Sequence, residues 1–123
     1  IEVCLVGSEM CIRDRLITGK VPTENSIPTA KRAAKICMLN TLSILDQIYP
    51  MYYLENFSCI HIAGYINAES SFEDHPQIIN GASDVVCEIL SNNGKHSRIA
   101  VGCASLPKNA IVEISSIFSI IEK

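Results

Sequence analysis

The sequence predicts an α+β fold, a two-layer sandwich in which one mixed sheet has two helices packed on one face. Two stretches with helical spacing of apolar residues alternate with stretches that have strand-like alternation, and two further strands follow. The 123 residues fit a single domain, and a hydrophobic content of 48% with 19% charged residues is sufficient for a core.

The first predicted helix runs from Ala30 to Ile48, where small and apolar residues recur at helical spacing. Ser26 is a suitable N-cap, and Pro28 stands at an early position where its missing N–H costs little. The helix is expected to end at Tyr49, because the residue before a proline disfavours helical dihedral angles.

The middle of the chain predicts a strand followed by a second helix. Residues 57–66 are apolar on both faces of a strand, which favours an interior position in the sheet. Asp74 is the expected N-cap of the helix, whose apolar stripe reaches Leu90. Gly94 is expected to supply the left-handed residue that ends it.

The last two strands lie between Ser97 and Phe118, on either side of the sequence Leu-Pro-Lys-Asn, and they predict a hairpin. Alternation places Arg98, Ala100 and Gly102 on one face of the first strand. Two small residues beside the arginine leave space in front of its guanidinium, which suits a small anionic ligand better than core packing.

Composition excludes several classes of protein. The formal net charge is −3, and no run of Lys and Arg is interleaved with aromatic residues, so nucleic acid is not expected to be the main partner. No apolar run approaches the roughly 20 residues of a membrane helix. No cysteine pair has the Cys-x-x-Cys spacing, so a zinc site is not expected. Four cysteines are expected to be buried thiols of a reducing cytoplasm: Cys37, Cys59, Cys87 and Cys103.

Three elements of the C-terminal third form a signature: Arg98 opening a strand, Leu106-Pro107 in the turn, and Val112-Glu113-Ile114 on the next strand. With them the chain resembles the Rid family, the reactive-intermediate imine deaminases that are also called YjgF-like or L-PSP endoribonuclease-like proteins. The resemblance extends back to Gly19-Lys20. It implies a chorismate-mutase-like fold and a homotrimer with clefts between neighbouring subunits.

The resemblance also implies roles for three residues. Arg98 would hold the carboxylate of a 2-imino acid, since an arginine fork binds a carboxylate through two parallel hydrogen bonds. Glu113 would be the catalytic group that positions water or moves a proton. Asn80 would contribute to substrate binding, although its alignment with the family asparagine needs a gap.

Three functions stay open at this point. The first is hydrolytic deamination of small 2-imino or enamine acids without a metal or organic cofactor. The second is non-catalytic binding of small carboxylate-bearing metabolites by a trimer. Gly102 and Ser115 stand where the well-studied deaminases have acidic residues, which keeps the second alternative in view. The third, ribonuclease action, ranks last because the chain has no basic groove.

The segment from Leu5 to Arg15 reads like the translation of a transposase-based sequencing adapter. Residues 1–15 are therefore expected to be non-native. The alternative is a native apolar strand over residues 1–6. If residues 1–15 are non-native, residues 16–123 form a single Rid-like domain that lacks the first two strands of the family.

Overall fold

The computed structural model describes residues 17–49 and 54–121, together with the backbone of residues 2–6. The fold is α+β, as predicted. In chain order the elements are β1 (Glu2–Val6), α1 (Ile27–Ile48), β2 (Phe57–Asn67), α2 (His75–Leu90), β3 (Ser97–Cys103) and β4 (Val112–Ile120). Both helices lie on one face of the sheet, where their apolar stripes form the core with β2 and β4.

Helix α1 begins and ends as its sequence predicts. The Ser26 hydroxyl accepts a hydrogen bond from the backbone N–H of Thr29 at 3.3 Å, which satisfies one of the unpaired donors of the first turn. Tyr49 is the C-cap. The small residues of the first two turns are fully buried, so the helix lies close on its neighbours: Ala30, Ala33 and Ala34.

The predicted hairpin of β3 and β4 is wrong. The strand order is β1-β4-β2-β3, so β2 lies between the two strands that were expected to pair. β2 pairs parallel with β3 and antiparallel with β4. Strand β2 is apolar on both faces, and a neighbour on each edge satisfies its backbone groups, whereas a hairpin would leave one edge unpaired. Residues 104–111 cross the end of β2 with a single 3₁₀ turn at Pro107–Asn109.

A bulge in β2 changes which residues share a face. The pairing with β4 shifts register between Cys59 and His61. As a result, Phe57 and Cys59 face the helices together with Ile62, whereas strict alternation along the strand would place them on the face of His61.

Helix α2 departs from its prediction at both ends. Asp74 is at the N-cap position, but its side chain makes no capping hydrogen bond. At the C-terminus Ser91, not Gly94, has a positive φ of 55°, and a 3₁₀ turn follows at Ser91–Gly94. Most of the expected apolar stripe is buried, but Ile89 is 36% exposed.

Strand β1 pairs antiparallel with β4, from Glu2 opposite Ile117 to Val6 opposite Glu113. This is the part of residues 1–15 that the structure describes; the rest lies outside the described residues, and the non-native origin of the segment stays a prediction. Within the described ranges, neither helix is long and apolar enough to cross a bilayer.

Candidate functional site

Arg98 lies on β3, an edge strand of the sheet, and its side chain projects to the helical face. The register pairs Arg98 with Ile62, which is fully buried beneath the helices. Ala100 and Gly102 share this face, as the alternation predicted. The guanidinium is half-buried beside α2.

Two side chains of α2 bind Arg98. Its Nη1 donates a hydrogen bond to Asn80 Oδ1 at 2.6 Å and a second to Ser83 Oγ at 3.2 Å. The structure therefore brings Arg98 and Asn80 together, as a site containing both requires. Asn80 and Ser83 are three residues apart in α2, which places both side chains on one face of the helix.

His96 extends this network behind Ser83. Its Nδ1 lies 2.5 Å from the carbonyl oxygen of Gly94, and its Nε2 lies 2.9 Å from Ser83 Oγ. Because a carbonyl can only accept, we assign the proton of a neutral imidazole to Nδ1, so that Nε2 accepts from the serine hydroxyl. Ser83 then donates to His96 and accepts from Arg98, which fixes its hydroxyl rotor.

Both hydrogen-bond partners of Arg98 in the described part of the chain are neutral oxygens. They orient the guanidinium without neutralising its charge. A guanidinium has five N–H donors, and the two on Nη1 are sufficient for Asn80 and Ser83. The Nη2 and Nε donors can then bind a carboxylate in the bidentate arrangement.

Glu113 lies on the opposite face of the sheet. It is paired with Tyr65 in β2, whereas Arg98 is level with Ile62, three residues away and hence on the other face. The Cα atoms of Arg98 and Glu113 are separated by three residues along the strands, about 10 Å, and by two strand spacings across the sheet, also about 10 Å. A single chain therefore does not bring Glu113 to Arg98.

The sequence analysis did not select Ser83 and gave His96 no role. Ser83 could have been found from its position one helical turn after Asn80. The contact between His96 and Ser83 joins the segment before β3 to α2, and no local pattern predicts it.

The cysteines are more varied than predicted. Cys37 and Cys59 are buried thiols, but Cys87 is exposed and Cys103 is half-buried. Burial, with a smaller contribution from nearby Cys87, raises the pKa of the Cys59 thiol from 9.0 to about 12. Among the described residues, no group of three His, Cys, Asp or Glu side chains could hold a metal ion.

Comparisons with known proteins agree with this architecture. Atu1372 from Agrobacterium tumefaciens, a protein of unknown function, is 34% identical, with a TM-score of 0.80 over 85% of this chain and 68% of that protein. A candidate endoribonuclease from Shewanella oneidensis has a TM-score of 0.83 at 20% identity, covering 98% of this chain and 79% of its own. YyfB of Yersinia pestis, a Rid-family protein of unknown function, has a TM-score of 0.59 at 6% identity, covering 98% of this chain and 78% of its own.

Among curated proteins, protein TCP17 of Trypanosoma cruzi is 28% identical over an alignment of 109 residues, and the alignment covers 82% of this chain. The chain spans only 63% of the length of that relative. No protein-family model matches the chain.

The likenesses at 20% identity and below show the fold, whereas the identity with Atu1372 extends over two thirds of that protein and shows kinship. With the signature of Arg98, Leu106-Pro107 and Val112-Glu113-Ile114, and with this fold, the chain belongs to the Rid (YjgF-like) family.

Proposed function

We propose that the protein hydrolyses small 2-imino acids and that Arg98 holds their carboxylate. The observation behind this proposal is a half-buried guanidinium whose hydrogen bonds within the described residues all go to neutral oxygens. Holding a cation in this way leaves its charge available for an anionic ligand. A carboxylate on the Nη2 and Nε edge would leave the bonds to Asn80 and Ser83 intact.

In the proposed reaction, water adds to the carbon of the C=N bond and the nitrogen gains a proton. The C–N bond of the resulting carbinolamine then breaks, which releases a 2-oxo acid and ammonia. A carboxylate near the carbon can position the water and move the proton, and this is the role proposed for Glu113.

Because Glu113 and Arg98 of one chain are on opposite faces, the proposal requires two copies of the chain. Glu113 lies on the face without helices, where three large apolar side chains of β3 and β4 are exposed: Ile99 at 51%, Val101 at 39% and Ile117 at 37%. A second copy on this face would bury them. We propose the homotrimer that the family resemblance implies, with Glu113 of one copy near the edge strand of the next.

The test is ammonia release from 2-iminobutanoate generated in the assay. We expect the chain to accelerate hydrolysis and Arg98→Ala to lose about 100-fold or more in kcat/KM, since a charge-assisted bidentate contact is removed. Arg98→Lys should retain part of the activity, because it keeps the charge but not the fork. Arg32→Ala, at an exposed arginine of α1, is the matched control and should not change the rate.

The second candidate is binding without catalysis, which the separation of Glu113 from Arg98 favours. A folded chain that leaves the rate of imine hydrolysis unchanged would contradict deamination of this substrate. If the same chain binds 2-oxobutanoate and Arg98→Ala abolishes that binding, the protein is a carboxylate-binding module. Some structural neighbours are named as endoribonucleases. The same activity in this protein would require salt-dependent RNA binding.

A further inference from the structure

A cleft of about 580 Å³ opens where β2 and β3 end and α2 begins. Its volume is within the range of small-molecule sites. Gly102 at its wall is four residues beyond Arg98 on β3, about 13 Å along the strand, so the cleft is separate from the arginine. Its lining includes a positively charged side chain, a negatively charged side chain, two rings and a thiol: Lys20, Glu69, Phe72, His75 and Cys103.

Lys20 supplies the positive charge of this cleft. Its ammonium donates hydrogen bonds to the side-chain oxygen of Asn67, at 3.0 Å, and to the carbonyl oxygen of Ala104. Asn67 is fully buried and is itself held by Asn109 at 3.0 Å. Both acceptors are neutral, so within the described residues they hold the ammonium without neutralising it. An ammonium has three donors, and the third can bind a ligand.

Glu69 supplies the negative charge. Its carboxylate accepts a hydrogen bond from the Thr23 hydroxyl at 3.1 Å. Backbone hydrogen bonds hold the segments that carry Lys20 and Glu69 side by side. The N–H of Val21 donates to the carbonyl oxygen of Asn67 at 3.0 Å, and the N–H of Glu69 donates to the carbonyl oxygen of Val21 at 2.9 Å. Glu24 is also close to Lys20, but the bond it accepts comes from the backbone N–H of Lys20.

Two rings line the cleft beside α2. Phe72 and His75 are in edge-to-face contact, with ring centroids 5.1 Å apart. The imidazole lies against Gly102, where a Cβ atom would be only 2.5 Å from His75 Nε2. The absence of a side chain at Gly102 thus lets the ring pack directly on β3, and the rings provide an apolar surface between polar groups.

We propose that this cleft binds a small zwitterion of amino-acid or dipeptide size. The ligand's carboxylate would meet the Lys20 ammonium, its ammonium would meet the Glu69 carboxylate, and its aliphatic part would lie on Phe72 and His75. A ligand with only one charge would satisfy one of these side chains and be repelled by the other. The site does not depend on Arg98 or on the proposed deaminase activity.

The experiment is a titration of the ¹⁵N-labelled chain, followed by NMR, with L-2-aminobutanoate and L-alanyl-L-alanine as zwitterions. Butanoate and butylammonium are the probes with one charge. We expect at least one zwitterion to shift the amide signals of Glu69, Ser70 and Ala104, and to bind about tenfold or more tightly than either singly charged probe. Lys20→Met should weaken zwitterion binding about tenfold, whereas Lys95→Met, at an exposed lysine, should leave it unchanged.

Glu69→Gln separates a ligand role from a structural one, because the amide can still accept the bond from Thr23. It should weaken binding of the zwitterion and strengthen that of butanoate, an inversion that loss of folding cannot produce. The proposal is overturned if the folded chain binds neither zwitterion, or if butanoate binds as tightly as they do. It is also overturned if Arg98→Ala abolishes binding while Lys20→Met and Glu69→Gln leave it intact, since the ligand is then at Arg98.

Discussion

At the scale of the residue, Ser83 determines how Arg98 is presented. Its hydroxyl accepts from the guanidinium and is fixed in turn by His96. We expect Ser83→Ala to weaken 2-oxobutanoate binding about three- to tenfold, because one of the two bonds that orient Nη1 is lost. Ser105→Ala, at an exposed serine after β3, is the control. Equal dissociation constants for Ser83→Ala and the unaltered chain, measured by NMR titration, would contradict this role.

Cys59 is the residue whose ionisation should affect stability. Burial raises its pKa from 9.0 to about 12, so the folded thiol keeps its proton where the unfolded one loses it. The unfolded chain therefore binds fewer protons above pH 9, and the free energy of unfolding falls as pH rises from 9 towards 12. The expected loss attributable to Cys59 is about 1 kcal/mol between pH 8 and pH 10.

The measurement is urea unfolding of the chain and of Cys59→Ala at both pH values. Tyrosines and lysines titrate in both proteins, so the difference between their pH dependences isolates the thiol. The two proteins should lose stability unequally, the unaltered chain more than Cys59→Ala. Parallel losses would mean that the buried thiol ionises as readily as an exposed one.

At the scale of the element, Gly81 sets the distance between α1 and α2. A Cβ atom at this position would be 2.1 Å from the backbone carbonyl oxygen of Lys31, which cannot move without moving α1. Gly81→Ala should therefore lower the free energy of unfolding by about 1–3 kcal/mol, even though alanine favours the helix by about 1 kcal/mol. Chemical denaturation measures this difference.

Gly102→Ala is the matched control for Gly81→Ala. Its Cβ atom would also be too close to a neighbour, at 2.5 Å, but that neighbour is the end of the His75 side chain, which can rotate away. We expect a loss of less than about 1 kcal/mol. A Gly81→Ala protein as stable as Gly102→Ala would show that the helices can separate without cost.

The positions of the helices and both ends of α1 were predictable from local sequence, whereas the ends of α2 and the order of the strands were not. The bounds of α1 follow from Ser26 and from Tyr49-Pro50, which act within one turn of the helix ends. The order of β3 and β4 depends instead on which strand satisfies both edges of β2, a property of the whole sheet. The bulge after Cys59 likewise arises from pairing with β4, and it reverses the faces that strict alternation assigns.

The candidate site divides in the same way. The approach of Asn80 to Arg98 agrees with the sequence analysis, because α2 packs beside the strand that follows it in the chain. The position of Glu113 depends on the strand order, which the sequence did not predict. In the structure β2 lies between the strand of Glu113 and the strand of Arg98. The sequence gives Lys20 no role beyond its place in the family resemblance, because its contact with Ala104 joins residues 84 positions apart and no local pattern predicts it.

At the scale of the whole molecule, the proposed activity depends on two copies of the chain. Arg98 is on the edge strand and Glu113 is on the face without helices, so a complete site would combine Arg98 of one copy with Glu113 of another. Light scattering should then give the mass of a trimer. Separately, Arg98→Ala and Glu113→Ala should each abolish imine hydrolysis.

Mixed trimers of these two inactive variants should regain activity. In a ring of three copies each site needs an intact Arg98 from one subunit and an intact Glu113 from its neighbour. Random mixing of equal amounts satisfies both conditions at about one site in four, so the mixture should recover about 25% of the activity of the unaltered chain. The mixture must be unfolded and refolded together, and the separately refolded variants are the controls. If mixed trimers form but regain no activity, then Arg98 and Glu113 act within one subunit or Glu113 has another role. Either result contradicts a site that combines Arg98 of one copy with Glu113 of another.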